Sequence, residues 1–338
     1  MSSTIYLDIG DAYTKFLSAP GQKDDANHVK KGCFASCALR YPPPGAFYDF
    51  EESVYRCRDK NTRDYLVGWP AVLAGGLMLG WESRHEHIWA VLCKTLFENC
   101  FDGDEVDICL AYDIGEKSEK MRKLSEEIKD GEIDVCSRRL YCENEESKTI
   151  KTTLSHMASP LNLLSHYASG AGKDISALIV DIGFTRTKIY VVSFKKGLEH
   201  YAVSNASVSA YCQGLKSHFK QIGRSVNEHL LMKELELNYP HVLVGDEKYN
   251  VAPLIESARW DMNKELLKCV SDALKGYYGA NGRWVDMFIV TGGGAAFNGE
   301  LLCVSIAEEN YSFKKVINDA SSTYAVVNGM RNKKEILL

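Results

Sequence analysis

Residues 5–15 of this chain read IYLDIGDAYTK, and residues 178–188 read LIVDIGFTRTK. Each segment begins with an apolar strand, places an Asp near the strand end and a Gly two residues later, and continues with hydroxyl-bearing and basic residues. One such segment alone is usually an ordinary β-turn. Two copies, each flanked by apolar residues, predict two related strand–turn–strand hairpins. If they face each other from two domains, the hairpins could hold a metal-bound phosphate chain.

The two hairpins carry residues that suit Mg²⁺ and phosphate. Mg²⁺ keeps several waters and prefers one or two carboxylates with phosphate oxygens, so Asp8 and Asp181 are predicted to hold it, partly through water. Gly10 and Gly183 lack a Cβ and would let backbone N–H groups approach phosphate oxygens. Lys15 would place a cation on the phosphates. The other nucleotide-binding candidates in these turns are Asp11, Ala12, Tyr13, Thr14, Phe184, Thr185, Arg186 and Thr187.

A third segment, residues 287–295 (MFIVTGGGA), follows an apolar strand with three glycines. Gly292, Gly293 and Gly294 give a tight turn against which a flat ligand can lie. This is not the GxGxxG fingerprint of dinucleotide-binding folds, and the chain lacks the GxxxxGK(S/T) loop of P-loop NTPases. Both of those nucleotide-binding classes are therefore disfavoured.

The composition is that of an ordinary globular protein. The 338 residues suit two domains, and the net charge of −5 argues against broad nucleic-acid binding by the whole surface. The 11 cysteines form no CxxC pair, which disfavours structural zinc and suits a reducing compartment, so we expect a cytoplasmic protein. The uncharged run at residues 66–81 is short for a membrane span and contains Pro70, so no membrane segment is expected.

The order of the predicted elements suggests two similar α/β halves, each a hairpin followed by further strand and helix. Each half would carry an insert, at residues 33–69 in the first and 206–284 in the second. The first domain is expected to comprise residues 1–158 with 325–338, and the second residues 159–324. Hydrophobic periodicity predicts helices at 87–101, 116–129, 159–169, 207–221, 226–237 and 254–278 and from about residue 298, and strands at 65–68, 106–111 and 287–291.

The order of these segments resembles that of the actin-like ATPase superfamily over the whole chain. Residues 163–170 (LLSHYASG) look much like the first connecting helix of actin. Residues 65–68 (YLVG) and 324–330 (YAVVNGM) are most similar to the bacterial plasmid-segregation actins of the ParM type. The corresponding motifs are phosphate-1 at 5–18, connect-1 near 159–170, phosphate-2 at 178–192, adenosine at 287–297 and connect-2 at 321–331.

This resemblance implies an α/β, actin-like two-domain fold, with two RNase H-like halves and their inserted subdomains around a central nucleotide cleft. Asp8 and Asp181 would be the metal-organising carboxylates, and Lys15 the phosphate lysine. The turn of residues 292–294 would lie on the adenine side. Phe297 would lie near the base, or else belong to the core.

The resemblance further implies a nucleotide-dependent, filament-forming ATPase. ATP or GTP, with Mg²⁺, would close the cleft and favour the polymer, and hydrolysis would destabilise it. The filament would segregate plasmid DNA through an adaptor protein bound to a centromere-like site. Neither direct DNA binding nor a membrane partner is implied for this chain.

Three positions depart from the family pattern. Many members begin connect-1 with Glu or Gln, which orients the attacking water, whereas this chain has Ser159 followed by Pro160. Ser159 or a neighbour would therefore serve, or hydrolysis is slow; alternatively Ser159 is only the N-cap of the helix. Asp11 stands where a small hydroxyl residue is usual, and either turns away or helps to organise the metal. Lys188 stands where Asp or His is frequent, and either contacts phosphate or water or points to solvent.

Two other functions stay open on this fold. The altered start of connect-1 is compatible with a nucleotide-binding scaffold that hydrolyses weakly. A small-molecule kinase would need a catalytic base close to the acceptor hydroxyl, and the sequence offers no convincing additional acidic motif for that role.

Overall fold

The computed structural model describes residues 3–10, 13–19, 29–40, 53–57, 63–73, 85–112, 126, 131–139, 144–168, 174–238, 240–309, 311–320 and 324–337. Asp11 and Ala12, residues 321–323 and all but one residue of the helix predicted at 116–129 lie outside these ranges. The chain divides into two compact units, Met1–Asn162 with Tyr324–Leu338, and Leu163–Thr323.

The first unit is built on a nine-stranded sheet in the order β3-β2-β1-β7-β9-β8-β5-β6-β4. Among the described residues, α1 (Trp69–Leu73) and α2 (His85–Asn99) lie in the first unit, and α3 (Ser159–Tyr167) begins in the first unit and ends in the second. The strands are β1 (Ser3–Ile9), β2 (Tyr13–Ala19), β3 (Lys30–Ala35), β4 (Ala38–Arg40), β5 (Ser53–Cys57), β6 (Tyr65–Val67), β7 (Glu105–Tyr112), β8 (Gly131–Arg139) and β9 (Glu145–Ala158).

The second unit is built on a five-stranded sheet in the order β12-β11-β10-β15-β16, with a separate two-stranded sheet, β13-β14. Its strands are β10 (Ser176–Ile182), β11 (Thr187–Ser193), β12 (Gly197–Ser204), β13 (His241–Val244), β14 (Glu247–Asn250), β15 (Met287–Thr291) and β16 (Lys315–Asn318). Its helices are α4 (Val208–Gln221), α5 (Glu228–Asn238), α6 (Ala252–Asn281) and α7 (Ala295–Glu308), after which α8 (Ala325–Leu337) returns the chain to the first unit.

The two units share one strand order, which confirms the prediction of two similar α/β halves. In the first unit β3-β2-β1 are antiparallel neighbours and β1-β7-β9 are parallel neighbours. In the second unit β12-β11-β10 and β10-β15-β16 repeat the same directions. Each predicted hairpin is therefore followed by two parallel strands on one side and one antiparallel strand on the other.

The sequence did not predict β8, β9 or the β13–β14 hairpin. Strand β9 pairs with β7 through residues 151–158 and with β8 through residues 145–152, so it joins two parts of the sheet. Its sequence, EESKTIKTTLSHMA, is mostly polar and partly exposed, and it therefore lacks the apolar run or strict alternation that indicates a strand. Through β8 and β5, strands from the predicted insert at 33–69 continue this same sheet.

Helices cover both faces of the first sheet near β1. Because side chains alternate along a strand, Ile5 and Leu7 point to one face and Tyr6 to the other. Ile5 and Leu7 pack in the core that includes α2, whereas Tyr6 packs in the cluster that includes Val327 and Met330 of α8. Among the described residues, no helix is both long and apolar enough to cross a membrane.

A buried carboxylate fastens the amino ends of the strands in the second unit. Asp286 is 7% exposed, and its Oδ2 accepts hydrogen bonds from the Ser176 backbone N at 2.9 Å and from the Ser176 hydroxyl at 3.0 Å. Its Oδ1 lies 2.8 Å from Lys314 Nζ. Burial alone would raise the pKa of Asp286, but the contacts with Lys314 and Ser176 outweigh it and hold the pKa below its usual value.

Helix α8 approaches α3 closely at a glycine. A Cβ on Gly329 would lie 1.7 Å from the carbonyl oxygen of Asn162, and both residues are buried. Backbone atoms cannot move aside as the end of a flexible side chain can. The YAVVNGM segment therefore needs glycine at this position for a packing reason.

We expect Gly329→Ala to lower the free energy of unfolding by about 3 kcal/mol, because the added methyl group overpacks a backbone contact. The matched control is Gly276→Ala in α6, where a Cβ would meet nothing within 4 Å. That change should instead stabilise by about 0.5–1 kcal/mol through helix propensity. Chemical denaturation of both variants measures the difference. Equal effects of the two substitutions would contradict the packing argument.

Candidate functional site

The first hairpin brings an acid and a base together across its two strands. Gly10 N donates to Tyr13 O at 3.1 Å and closes the turn. The register then places Asp8 opposite Lys15, and Lys15 Nζ lies 3.4 Å from Asp8 Oδ2. Both side chains are partly exposed, so each can meet a ligand.

The second hairpin repeats this arrangement in the other unit. Gly183 N donates to Arg186 O at 3.1 Å, and Asp181 pairs with Lys188 in the register. Lys188 is thus the counterpart of Lys15, an equivalence that the sequence analysis missed. The signal was present, because each lysine follows its Asp by the same number of residues.

The N–H groups of Gly10 and Gly183 close their own turns, and the need for glycine at both positions lies in the turns themselves. The approach of phosphate oxygens to backbone N–H groups here stays a prediction. A Cβ on Gly183 would lie 2.6 Å from the Arg186 carbonyl oxygen, and a Cβ on Gly10 would lie 3.0 Å from that of Tyr13. The glycines are therefore required so that the turns can close.

The tip of the second hairpin is tied to the start of α4. Val208 N donates to Gly183 O at 3.3 Å, and Ser209 N donates to Phe184 O at 2.7 Å. Phe184 is buried, whereas Thr185 and Arg186 are partly exposed at the turn. Of these turn residues, Thr185 and Arg186 present the side chains that a phosphate could reach.

Two threonines expected at the phosphates belong to the core instead. Thr14 pairs with Ile9, and Thr187 pairs with Ile182, on the face of each sheet opposite to the Asp–Lys pair. Both threonines are fully buried. The Thr14 hydroxyl lies 2.8 Å from Ser36 Oγ, and the Thr187 hydroxyl donates to the Ala206 carbonyl.

The glycine turn after β15 lies directly against Asp181. Gly292 has a φ of +89°, and a Cβ there would lie 2.4 Å from Asp181 Oδ1. Gly294 N donates to Ile182 O at 2.9 Å. Gly293, between these two anchored residues, is exposed, and a Cβ there would meet nothing within 4 Å. The turn is held at both ends and open in the middle, as a surface for a flat ligand requires.

Beside this turn, three helices contribute a cluster of polar and aromatic side chains. Helix α7 begins at Ala295 rather than near residue 298, so Phe297 lies in its first turn, with its ring centroid 6.0 Å from that of Tyr211. The Tyr211 hydroxyl donates to Asn298 Oδ1, and Asn298 Nδ2 donates to Arg259 O at 3.1 Å. Burial raises the pKa of Tyr211, and the nearby charge of Arg259 partly opposes this.

Arg259 is the residue of this cluster most suited to a ligand. Its Nη1 lies 2.8 Å from Glu256 Oε1, while its Nε is buried and finds no acceptor in the part of the chain that the structure describes. A buried donor without an acceptor is costly, and a ligand oxygen or nitrogen would remove that cost. The sequence analysis missed Tyr211, Glu256, Arg259 and Asn298, because they come from three helices and no spacing along the chain links them.

Ser159 is buried and is the first residue of α3. The N-cap position therefore falls on Ala158, and the prediction that Ser159 itself is the N-cap is wrong by one residue. Pro160 lies in the first turn, where its missing N–H is not needed.

Within the described ranges, no group of three or more His, Cys, Asp or Glu residues gathers as a metal-binding set. Asp8 and Asp181 each stand beside a lysine and a glycine turn. One carboxylate per hairpin fits Mg²⁺ held largely by water and phosphate oxygens, and it does not fit a cage made of protein ligands alone.

The sequence matches no family model and no curated protein. Solved structures do match over nearly the whole chain. Ta0583, an archaeal actin homolog, has a TM-score of 0.77 at 15% identity, covering 99% of each chain. A ParM filament from Clostridium botulinum has a TM-score of 0.68 at 14% identity, covering 98% of this chain and 99% of the other. Bacillus thuringiensis ParM with ATP has a TM-score of 0.62 at 14% identity, covering all of both chains. The chain therefore has the actin-like fold.

We expect Gly292→Ala to lower the free energy of unfolding by about 1–3 kcal/mol, because alanine disfavours a positive φ and its Cβ would displace the Asp181 carboxylate. Gly293→Ala, one residue further, should change it by less than about 0.5 kcal/mol. Thermal unfolding of the two variants makes the comparison. A Gly293→Ala variant that is as unstable as Gly292→Ala would contradict this description of the turn.

Proposed function

We propose that this protein is a nucleotide-dependent ATPase that assembles into filaments. The observation that carries the proposal is the repeated hairpin, in which Asp8 pairs with Lys15 and Asp181 with Lys188 after identical turn closures. An unrelated β-turn in each unit would have no reason to repeat both the register and the charges. Two carboxylates for a metal and two lysines for phosphates are what a nucleoside triphosphate with Mg²⁺ requires.

Each hairpin would act on the phosphate end of the same nucleotide. Asp8 and Asp181 would hold Mg²⁺ largely through its waters, and the metal would neutralise charge on the phosphates. Lys15 and Lys188 would add positive charge, and Arg186 at the exposed turn could add another cation. With nucleotide bound, the domains expected at residues 1–158 with 325–338 and at 159–324 would close on it.

The base and ribose would lie against the glycine turn of the second unit. Gly293 offers an open backbone surface, and Phe297 and Tyr211 offer aromatic surface beside it. Arg259 and Glu256 supply a donor and an acceptor for polar groups of the nucleoside. Solved structures with the same fold include the archaeal homolog in complex with ADP and the Bacillus thuringiensis protein with ATP, which supports a purine nucleotide.

The same comparison supports self-association, since a ParM filament has this fold. ATP binding would favour the polymer and hydrolysis would weaken it, so the bound nucleotide would determine how long a filament persists. The plasmid-segregation role implied by the ParM resemblance would need a DNA-binding adaptor at a centromere-like site, because a net charge of −5 gives this chain little general affinity for DNA.

A second candidate is a nucleotide-binding scaffold with weak hydrolysis. The specific observation in its favour is Ser159, a buried residue with a short side chain at the start of α3, where a Glu or Gln would orient the attacking water. Replacement by alanine tests whether Ser159 takes part in hydrolysis. Ser159→Ala should leave phosphate release within about twofold if Ser159 only starts the helix, whereas a loss of about a hundredfold with unchanged nucleotide binding would mean that Ser159 orients the attacking water.

The experiment that tests the proposal is high-speed pelleting without nucleotide, with ADP and Mg²⁺, and with ATP or GTP and Mg²⁺, while phosphate release is followed in the same samples. Pelleting that requires triphosphate and is accompanied by phosphate release is the expected result. Pelleting without release would favour the scaffold. Phosphate release without pelleting at any protein concentration would contradict filament formation and favour an enzyme that does not assemble.

We expect Asp181→Ala to lower Mg²⁺-dependent phosphate release by at least about a hundredfold, since a metal-organising carboxylate is lost. The melting temperature should stay close to that of the native protein. Asp174→Ala is the matched control, because Asp174 precedes the same strand but is exposed and forms a surface ion pair with Lys195 at 3.7 Å. If Asp181→Ala released phosphate as fast as the control, the proposed metal-binding role of Asp181 would be wrong.

A further inference from the structure

A chain of side-chain hydrogen bonds lies at the carboxyl edge of the second sheet. Asp181 is the penultimate residue of β10, Thr291 ends β15, and Asp319 directly follows β16. Asp181 pairs with Thr291 in the parallel register, and Asp319 N donates to Val290 O at 2.9 Å. The three residues therefore follow one another across adjacent strands, at the edge where ligands bind in open α/β sheets.

Tyr167, at the end of α3, joins two of these residues. Its hydroxyl donates to Asp319 Oδ2 at 3.0 Å and lies 2.7 Å from Thr291 Oγ1. A phenol has one hydroxyl proton. Because that proton goes to the Asp319 carboxylate, the Thr291 hydroxyl must be the donor to Tyr167. The bonds thus run in one direction, from Thr291 to Tyr167 to Asp319, and each strengthens the next.

This chain of bonds fixes the backbone against which Asp181 lies. Thr291 is 1% exposed, so its side chain has little room to turn. The next residue is Gly292, whose missing Cβ lets the Asp181 carboxylate come so close that a Cβ would sit 2.4 Å from Oδ1. A shift of Thr291 would therefore move the Gly292 backbone that lies against the Asp181 carboxylate. Neither Tyr167 nor Asp319 belongs to the strand–turn motifs that marked the site in the sequence.

We propose that Tyr167 and Asp319 are positioning residues that hold Asp181, through Thr291 and Gly292, in the orientation in which it binds hydrated Mg²⁺. The inference rests on the proposed function, because it takes Asp181 as a residue that organises the metal. Residues that orient a metal ligand without touching the metal typically change metal affinity by about 10–100-fold when they are lost.

The alternative is that these hydrogen bonds only stabilise the sheet. The hydrogen bonds at the amino ends of the same sheet provide a control for this alternative. There Asp286, which directly precedes β15, accepts hydrogen bonds from Ser176, the first residue of β10. Loss of the Asp286 carboxylate should lower the stability of the protein without changing the orientation of Asp181. Comparing the two edges therefore separates general sheet stability from an effect on the site.

The test measures ADP affinity by calorimetry as a function of Mg²⁺ concentration, with thermal unfolding of the same proteins in the absence of nucleotide and metal. The native protein is compared with Tyr167→Phe, Asp319→Asn, Thr291→Val, Thr291→Ser and Asp286→Asn. Tyr167→Phe removes both bonds of the tyrosine hydroxyl, Thr291→Val removes the bond that Thr291 donates, and Asp319→Asn replaces the charged acceptor with a neutral one. Each changes the shape little, so misfolding of one variant leaves two others to decide. Thr291→Ser retains the hydroxyl.

We expect Tyr167→Phe, Asp319→Asn and Thr291→Val to raise the Mg²⁺ concentration that gives half of the full effect on ADP affinity by about tenfold. Their ADP affinity without Mg²⁺ should equal that of the native protein. Thr291→Ser should restore most of the native Mg²⁺ response. Asp286→Asn should lower the melting temperature and leave the Mg²⁺ response unchanged.

The inference is overturned if Tyr167→Phe and Asp319→Asn behave like Asp286→Asn, with a lower melting temperature and a native Mg²⁺ response. It also falls if the native protein binds ADP with no dependence on Mg²⁺, but that result would at the same time contradict the metal role of Asp181 in the proposed function. A native protein that responds to Mg²⁺, together with variants that respond identically, would overturn the positioning role alone.

Discussion

The candidate site depends on one backbone contact, the hydrogen bond that closes each Asp-tipped hairpin. It joins Gly10 N to Tyr13 O in one unit and Gly183 N to Arg186 O in the other, at 3.1 Å in both. A side chain at either glycine would press on the same oxygen that the N–H must reach. Once the turn is closed, the register is set, and the alternation of side chains along the strands leaves no choice about which residues share a face. Asp and Lys then share the accessible face, and the threonines enter the core.

The actin-like fold is shared by proteins of several functions, so the fold does not by itself establish what this chain does. Particular residues of this chain support a nucleotide as the ligand. The glycine turn is anchored at Gly292 and Gly294 and open at Gly293, and Arg259 holds a buried donor beside it. Under the proposed function, these features would meet the base, and the two Asp–Lys pairs would meet the phosphates and a hydrated metal.

At each edge of the sheet of the second unit, a carboxylate accepts a hydrogen bond from a hydroxyl group, and the two carboxylates differ in their surroundings. At the amino edge, Asp286 also receives a lysine and backbone N–H, which satisfies its charge locally. At the carboxyl edge, Asp319 is reached by Tyr167, which in turn meets Thr291 beside Asp181. The contacts of Asp286 suit a purely structural role. Those of Asp319 connect the end of α3 to the part of the sheet where a ligand is expected.

The sequence alone determined the features that repeat or that follow a local period. The two hairpins, the glycine turn after β15 and the long amphipathic helices could be predicted, because strand, turn and helix signals lie within a few neighbouring residues. Even the equivalence of Lys15 and Lys188 was present as a spacing. Tertiary structure decided everything that depends on contacts between distant segments. It buried Thr14 and Thr187, formed the polar strand β9 by pairing it on both sides, and assembled Arg259 with Tyr211 and Tyr167 with Asp319. No local pattern carries such information, because the partners are brought together only when separate helices and strands pack.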